Sequence, residues 1–281
     1  MTPTGVGFGV GAALSWGVSD FNAGLASRRA TPLSTVVVSQ TVGVTVAIIL
    51  LGSLGERYPG GEPIGWAVVA GVAAFVSLVS FYRSLTFGAM GLAAALTGVI
   101  GAGFPVVIGA ITGDRLRPTD VVGIAVALVA VVLVARPAND IGIGRGSLPF
   151  ALLAGLGAGV FFIAMGRSTA AGGETWWPVA ISRGIVLGLA LITTVGLRRA
   201  TTTVRSATPL MAVIGVGDML GTALFVASTG LGALGVSAVV ASQYPAVTAV
   251  LARVLADERL APTHVAGIVL ALVAIALIAL P

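Results

Sequence analysis

Three ionisable side chains fall well inside long apolar stretches of this 281-residue sequence: Asp20 in "SWGVSDFN", Arg183 in "AISRGIV" and Asp218 in "GVGDMLG". A carboxylate in such surroundings can exchange a proton, hold a substrate ammonium, or serve as the structural partner of a buried guanidinium. For Asp218 the partner would be Arg183. At a rise of about 1.5 Å per residue the two differ in depth by on the order of 10 Å, so they meet only if the arginine extends toward the centre. For Asp20 the favoured partner is Arg83, which lies at a similar depth near the end of the third apolar stretch. In the alternative reading Asp20 presents its charge to a substrate while Trp16, one turn back, supplies an aromatic wall, and Arg83 snorkels to the interface.

Uncharged polar and aromatic groups complete the candidate set: Gln40, Tyr82, Gln243 and Tyr244. Together with Trp16, Asp20, Arg83, Arg183 and Asp218 they form a candidate substrate-binding set suited to a zwitterion. Arg183 would grip a carboxylate in a two-pronged fork, Asp218 or Asp20 an ammonium, and Trp16, Tyr82 or Tyr244 an apolar body. Pro245 follows Gln243 and Tyr244 and frees a backbone carbonyl, which reads first as a packing kink and second as a contact. Pairs such as Gly7/Gly11, Gly155/Gly159 and Gly217/Gly221 have the small-xxx-small spacing of close helix packing.

Several chemistries find no residues to carry them. The chain has no cysteine and one histidine, His264, which leaves nothing for disulfides, thiolate clusters or a multi-histidine metal site. "GIGRG" at Gly142 to Gly146 lacks the lysine and Ser/Thr of a phosphate loop. No cofactor, metal or catalytic residue is therefore expected, and the chain does not read as an enzyme. All fifteen basic residues are arginines scattered in ones and twos, giving a net charge of +5. No clustered basic patch exists for nucleic acid.

The elements that position these groups are set by composition. Hydrophobic residues make up 57% and charged residues 9%, against about 25% charged in soluble domains. Runs of about 20 apolar residues, each long enough to span a bilayer, follow one another at 5–26, 33–52, 64–86, 90–111, 119–135, 147–169, 177–197, 209–231, 234–255 and 263–280. The breaks carry turn punctuation, such as "ERYPGGEP" at Glu56 to Pro63. The first run has no basic leader and reads as a retained helix.

The sequence also repeats itself. Gly88 to Pro137 aligns without a gap on Gly232 to Pro281, with 20 identities in 50 positions. Ser39-Gln40 falls on Ser182-Arg183, and Ala13 to Phe21 falls on Gly155 to Ile163. Each copy holds five helices, an odd number, so the second must enter the membrane from the opposite side. The expected fold is an all-α integral membrane protein of ten transmembrane helices in two inverted five-helix repeats: residues 1–137, a linker at 138–145, and residues 146–281. Two inverted copies can rock about a midplane site and expose it to each side in turn. Helices five and ten, nearly devoid of polar groups, are expected at the periphery, facing lipid or a second copy.

An acidic-Arg-Leu turn precedes the last helix of each half, as Asp114-Arg115-Leu116 and Glu258-Arg259-Leu260. With the ten-helix plan, "FYRSL" at Phe81 to Leu85 and Pro245 thirteen residues before Glu258, the chain resembles the EamA family of the drug/metabolite transporter superfamily. The first half departs from the pattern, with Gly101 where the proline would stand. The resemblance implies export or exchange of small organic solutes, amino acids or related metabolites among them, in a bacterial cytoplasmic membrane. The expected partners are such a substrate, membrane lipid and a proton as coupling ion, in a monomer or homodimer. A lipid flippase of the same architecture and a passive solute channel are the alternatives. Loop arginines, eight against four, place both termini outside by the positive-inside rule, whereas the resemblance implies termini inside.

Overall fold

A computed structural model of the chain describes residues 2–26, 30–85, 90–113, 116–134, 147–196, 207–256 and 261–279. They form helices α1 (Pro3–Ala26), α2 (Pro32–Leu54), α3 (Gly61–Leu85), α4 (Met90–Thr112), α5 (Pro118–Val134), α6 (Ser147–Ala170), α7 (Trp176–Gly196), α8 (Thr208–Thr229), α9 (Leu234–Ala241), α10 (Tyr244–Leu255) and α11 (Pro262–Ala279). Every apolar run is thus helical, the state that satisfies backbone polar groups without water. Among the described residues, seven spans are long and apolar enough to cross a membrane: α2, α3, α6, α7, α8, the α9–α10 segment and α11. The Thr97–Thr112 part of α4 and all of α5 are apolar but shorter.

One run is not a single helix. The ninth breaks at Ser242 and Gln243, and Pro245 occupies the first turn of the new helix α10. Proline has no N–H to give and its ring clashes with the preceding turn. Gln243 repairs the break: its Nε2 donates to the Val239 carbonyl at 3.0 Å, and its side chain is buried.

Helix pairings recur when each helix is exchanged for its repeat counterpart. α1 packs on α8 as α6 packs on α3, and α2 on α8 as α7 on α3. Equivalent glycines make the second pair of crossings. A Cβ on Gly215 would lie 2.1 Å from the Ser39 carbonyl oxygen, and one on Gly71 would lie 2.7 Å from that of Ser182. α5 crosses α11 in antiparallel sense, with Gly123 against Ile278 and the Ala274 carbonyl, and Gly267 against Val134 and the Ala130 carbonyl. The outward faces of these two helices expose Val121, Val122, Val265, Val269 and Leu272. Of the glycines singled out by spacing, Gly155, Gly159, Gly217 and Gly221 sit in tight contacts, Gly11 meets only the flexible end of Leu224, and Gly7 has open space.

The turns before α5 and α11 share a capping device. Asp120 accepts from the Arg117 backbone N–H at 2.9 Å, and His264 Nδ1 accepts from that of Ala261 at 3.2 Å. The lone histidine is a helix cap in this structure. Arg117 adds an ion pair to Asp120 at 2.7 Å and a bond to the Ile278 carbonyl at 2.9 Å, tying the start of α5 to the end of α11. Asp114, Arg115, Glu258, Arg259, Leu260 and the linker lie outside the described residues.

The strongest cap joins the two halves. Glu56, after α2, accepts from the backbone N–H groups of Thr175, Trp176 and Trp177 at 3.1, 2.8 and 3.2 Å. A carboxylate at a helix N-terminus satisfies donors that the helix itself cannot and also meets the positive end of its dipole. The Trp177 indole donates to the Glu56 carbonyl at 3.2 Å, and Tyr58 meets the Trp177 ring edge-on at 5.3 Å. Glu56→Ala is expected to lower stability by about 1–2 kcal/mol, with Glu56→Gln in between. Thermal unfolding of the detergent-solubilised protein checks this, and unchanged melting of the alanine variant would show the clamp to be energetically idle.

Candidate functional site

The centre of the molecule is organised around Asp218. Its Oδ2 accepts from Arg183 Nη1 at 2.6 Å and from Gln40 Nε2 at 2.9 Å. Its backbone carbonyl accepts from Trp16 Nε1 at 3.2 Å, Thr222 Oγ1 at 3.0 Å and Arg183 Nη2 at 3.4 Å. Arg183 Nη2 also donates to Thr222 Oγ1. The arginine does extend to the carboxylate, and its guanidinium lies 5.8 Å from the Phe161 ring centre.

The helices make this possible by specific means. Gly215 lets α8 approach α2 beside Ser39, and Gly71 lets α3 approach α7 beside Ser182. Gln40 and Arg183 are the residues that follow those two serines. The repeat-equivalent amide and guanidinium therefore converge on the same carboxylate oxygen. Arg183 is 7% exposed and Asp218 23% exposed, so the pair is desolvated on the arginine side and open on the other. Two buried atoms here have no partner among the described residues, Gln40 Oε1 and Arg183 Nε.

Asp20 has a different environment. Trp16 and Asp20 are four residues apart on α1 and so share a face. Asp20 is exposed on that helix. Asp218 and the Tyr244 hydroxyl are within its electrostatic reach. Among the described residues no group hydrogen-bonds or ion-pairs with it. Tyr244, at the start of α10, meets Trp16 edge-on with ring centres 6.2 Å apart. Behind Trp16 stand Phe162 at 5.8 Å and Phe225 at 6.1 Å.

The structure thus gathers Trp16, Asp20, Gln40, Arg183, Asp218 and Tyr244 and leaves others apart. The Asp20–Arg83 pair expected from equal depth does not form. Arg83 is exposed, with its guanidinium 6.0 Å from the Phe150 ring at the start of α6, because similar depth does not put two side chains on facing sides of their helices. Gln243 is turned to its own helix break. The side chain of Tyr82 lies outside the described residues. Sequence reasoning missed Thr222, although its place one turn after Asp218 was a usable signal, and missed the Phe161, Phe162 and Phe225 cluster.

Comparison with known proteins fits this architecture. Residues 3–136 match the EamA-like transporter family. The first half of the chain is thus similar to that family, whose members are membrane transporters of the drug/metabolite type, and the long apolar helices agree with an integral membrane protein. A crystal structure of a protein with 18% sequence identity superposes with a TM-score of 0.80, covering 99% of this chain and 96% of the other. At that identity the likeness speaks for the fold alone. No curated protein matches the chain.

Proposed function

We propose that this EamA-like protein is a secondary transporter that moves small organic solutes, amino acids or related metabolites within its range, by alternating access between two inverted five-helix repeats. A proton is the proposed coupling ion, a bacterial cytoplasmic membrane the proposed location, and a monomer or homodimer the working unit. The observation that carries this reading is Asp20: a carboxylic side chain within an apolar helix, exposed and without a partner among the described residues. Charges inside membranes cost at least about 2.5–3.5 kcal/mol and are retained where they line paths for solutes or ions.

The repeated crossings support the inverted plan. The antiparallel α5–α11 contact, in which Gly123 and Gly267 take equivalent roles, is what a two-fold axis in the membrane plane would generate. Two outer grooves also occupy equivalent places, one of about 600 Å³ between α1 and α8 and one of about 440 Å³ between α3 and α6. Their walls are apolar side chains, and the Ser15 hydroxyl in the larger one donates to the Gly217 carbonyl at 2.8 Å. Such grooves suit acyl chains but offer a lipid headgroup nothing, which disfavours the flippase reading.

Counterflow in liposomes holding purified protein tests the proposal. Saturable flux of a labelled solute, stimulated by the same solute across the membrane, is expected. Flux that neither saturates nor responds to exchange would indicate a channel, and movement of labelled lipid alone would indicate a flippase.

A further inference from the structure

The two outer grooves are built from the same positions of the two repeats. Val69, Val72 and Leu156 of the α3–α6 groove correspond to Val213, Val216 and Leu14 of the α1–α8 groove, in the register that sets Gly88 on Gly232 and Ala13 on Gly155. All six side chains are exposed. Helices α3 and α6 are long and apolar enough to cross a membrane, so their outward walls meet hydrocarbon there. These walls offer a head group nothing, and whatever fixes one must stand at a rim.

At one rim the grooves differ. Along α3 a single face runs from Val69 and Val72 through Val76 and Val79 to Arg83 in the last turn, in steps of three and four residues. On α6 the facing wall runs from Leu156 through Leu153 toward Phe150. The exposed Arg83 guanidinium lies 6.0 Å from the Phe150 ring centre, so both helices contribute to this rim. A cation placed over an aromatic face is attracted by the ring. In the other groove the corresponding residues are Ala227 and Phe8: the ring is present and the cation is missing. At the far end of the α3–α6 groove, Arg167 follows Val160 by two turns. The Ser168–Pro63 bond of 2.9 Å sets it level with the acidic Glu62.

The spacing fits one leaflet. By helix rise Arg83 stands about 10 Å beyond Val76 and about 21 Å beyond Val69, and half the hydrocarbon thickness of a bilayer is about 15 Å. A phosphate at Arg83 therefore lets an acyl chain lie along the groove walls to about the midplane.

From this difference between equivalent grooves we propose that the α3–α6 groove docks an anionic phospholipid, its phosphate on Arg83 and an acyl chain along the walls. The α1–α8 groove takes acyl chains without regard to head group. Because α3 belongs to the first repeat and α6 to the second, the lipid bridges the two halves, held in one leaflet and not moved across the membrane. A second copy of the chain laid on this face by a two-fold axis would set the two Arg83 side chains toward each other.

Native mass spectrometry of the detergent-purified protein, titrated with phosphatidylglycerol or phosphatidylcholine of identical palmitoyl-oleoyl chains, measures the preference. One phosphatidylglycerol is expected to be held about fivefold more tightly than phosphatidylcholine, the contribution of a single arginine near a lipid surface. Arg83→Gln should remove that preference with normal folded yield, and Arg83→Lys should retain most of it. Val72→Trp, which fills the groove, should weaken both lipids. Ala227→Arg should add a second preferred phosphatidylglycerol by giving the other groove its missing cation. Equal binding of the two lipids by the native chain overturns the proposal, as does a preference that survives Arg83→Gln or a folded Ala227→Arg chain that gains no lipid. So does displacement of phosphatidylglycerol by an equal concentration of inorganic phosphate, which would mark a site for the free anion. Loss of a dimer in Val72→Trp with lipid binding unchanged would also overturn it and mark an interface between copies.

Discussion

Asp218→Asn is expected to lose folded yield and solute exchange together. The substitution keeps the shape of the side chain but removes the charge opposite Arg183, whose Nη1 sits 2.6 Å from the carboxylate and whose side chain is 7% exposed. A guanidinium left without its counter-charge in such a place costs about 3–5 kcal/mol. Gln40, which donates to the same oxygen at 2.9 Å, retains an acceptor in asparagine and should not add to the loss. Arg183→Gln should be comparably damaging, and the double variant less so than the two single effects added, because neither charge then remains unpaired. Unfolding in detergent gives the stabilities, and counterflow on the folded fraction gives the exchange. A different pattern would assign Asp218 to coupling: stable folding, intact exchange between compartments of equal pH, and loss of pH-driven uphill flux only.

The sequence made the spans legible because the bilayer imposes a length and an apolar composition that few other environments demand. The predicted limits of every run fall within a few residues of a helix. The break of the ninth run was foreshadowed by Pro245, although its place at Ser242 and Gln243 follows from how Gln243 caps the freed carbonyl. The centre of the site was legible for a related reason. A charge inside an apolar run has few places to go, so Asp20, Arg183 and Asp218 stood out.

Pairings were harder, for reasons of geometry. Rise per residue gives depth, which allowed Arg183 to reach Asp218 but also suggested Asp20 with Arg83. Rotation about each helix axis decides which of these meet, and it is fixed by crossings such as Gly215 on Ser39 that depend on both partners at once. Glu56 illustrates a further limit. Read along the chain, it is one polar residue in a turn; its role as the cap of α7 exists only because a helix from the other half begins beside it. Mutual arrangement also decides which protein groups Arg183 meets, namely Asp218 and Thr222.

The same crossings carry the second large expected effect. In Gly215→Ala the new methyl would stand 2.1 Å from the Ser39 carbonyl oxygen and 3.1 Å from the Gly43 nitrogen, both backbone atoms that no rotamer change can move. α8 and α2 must therefore separate. Overpacking a tight contact costs about 1–3 kcal/mol, occasionally more, and this contact lies one turn from Asp218 and next to Gln40. Separation should lengthen the Gln40–Asp218 bond, so exchange should fall by more than the stability loss alone implies. Gly71→Ala offers the counterpart at the α3–α7 crossing, where the nearest atoms are the Ser182 carbonyl oxygen and the Ile185 Cβ, each at 2.7 Å. Its effect should be smaller because the overlap is less, and it should fall on Arg183 and not on Gln40. Gly7→Ala, with open space around it, should be neutral or slightly stabilising, since alanine favours the helix by up to about 1 kcal/mol. Melting temperatures of the three variants, with exchange measured on reconstituted protein, test the order. Equal tolerance at Gly215 and Gly7 would mean that the close α2–α8 crossing does not hold the site together, and the convergence of Gln40 and Arg183 on Asp218 would need another cause.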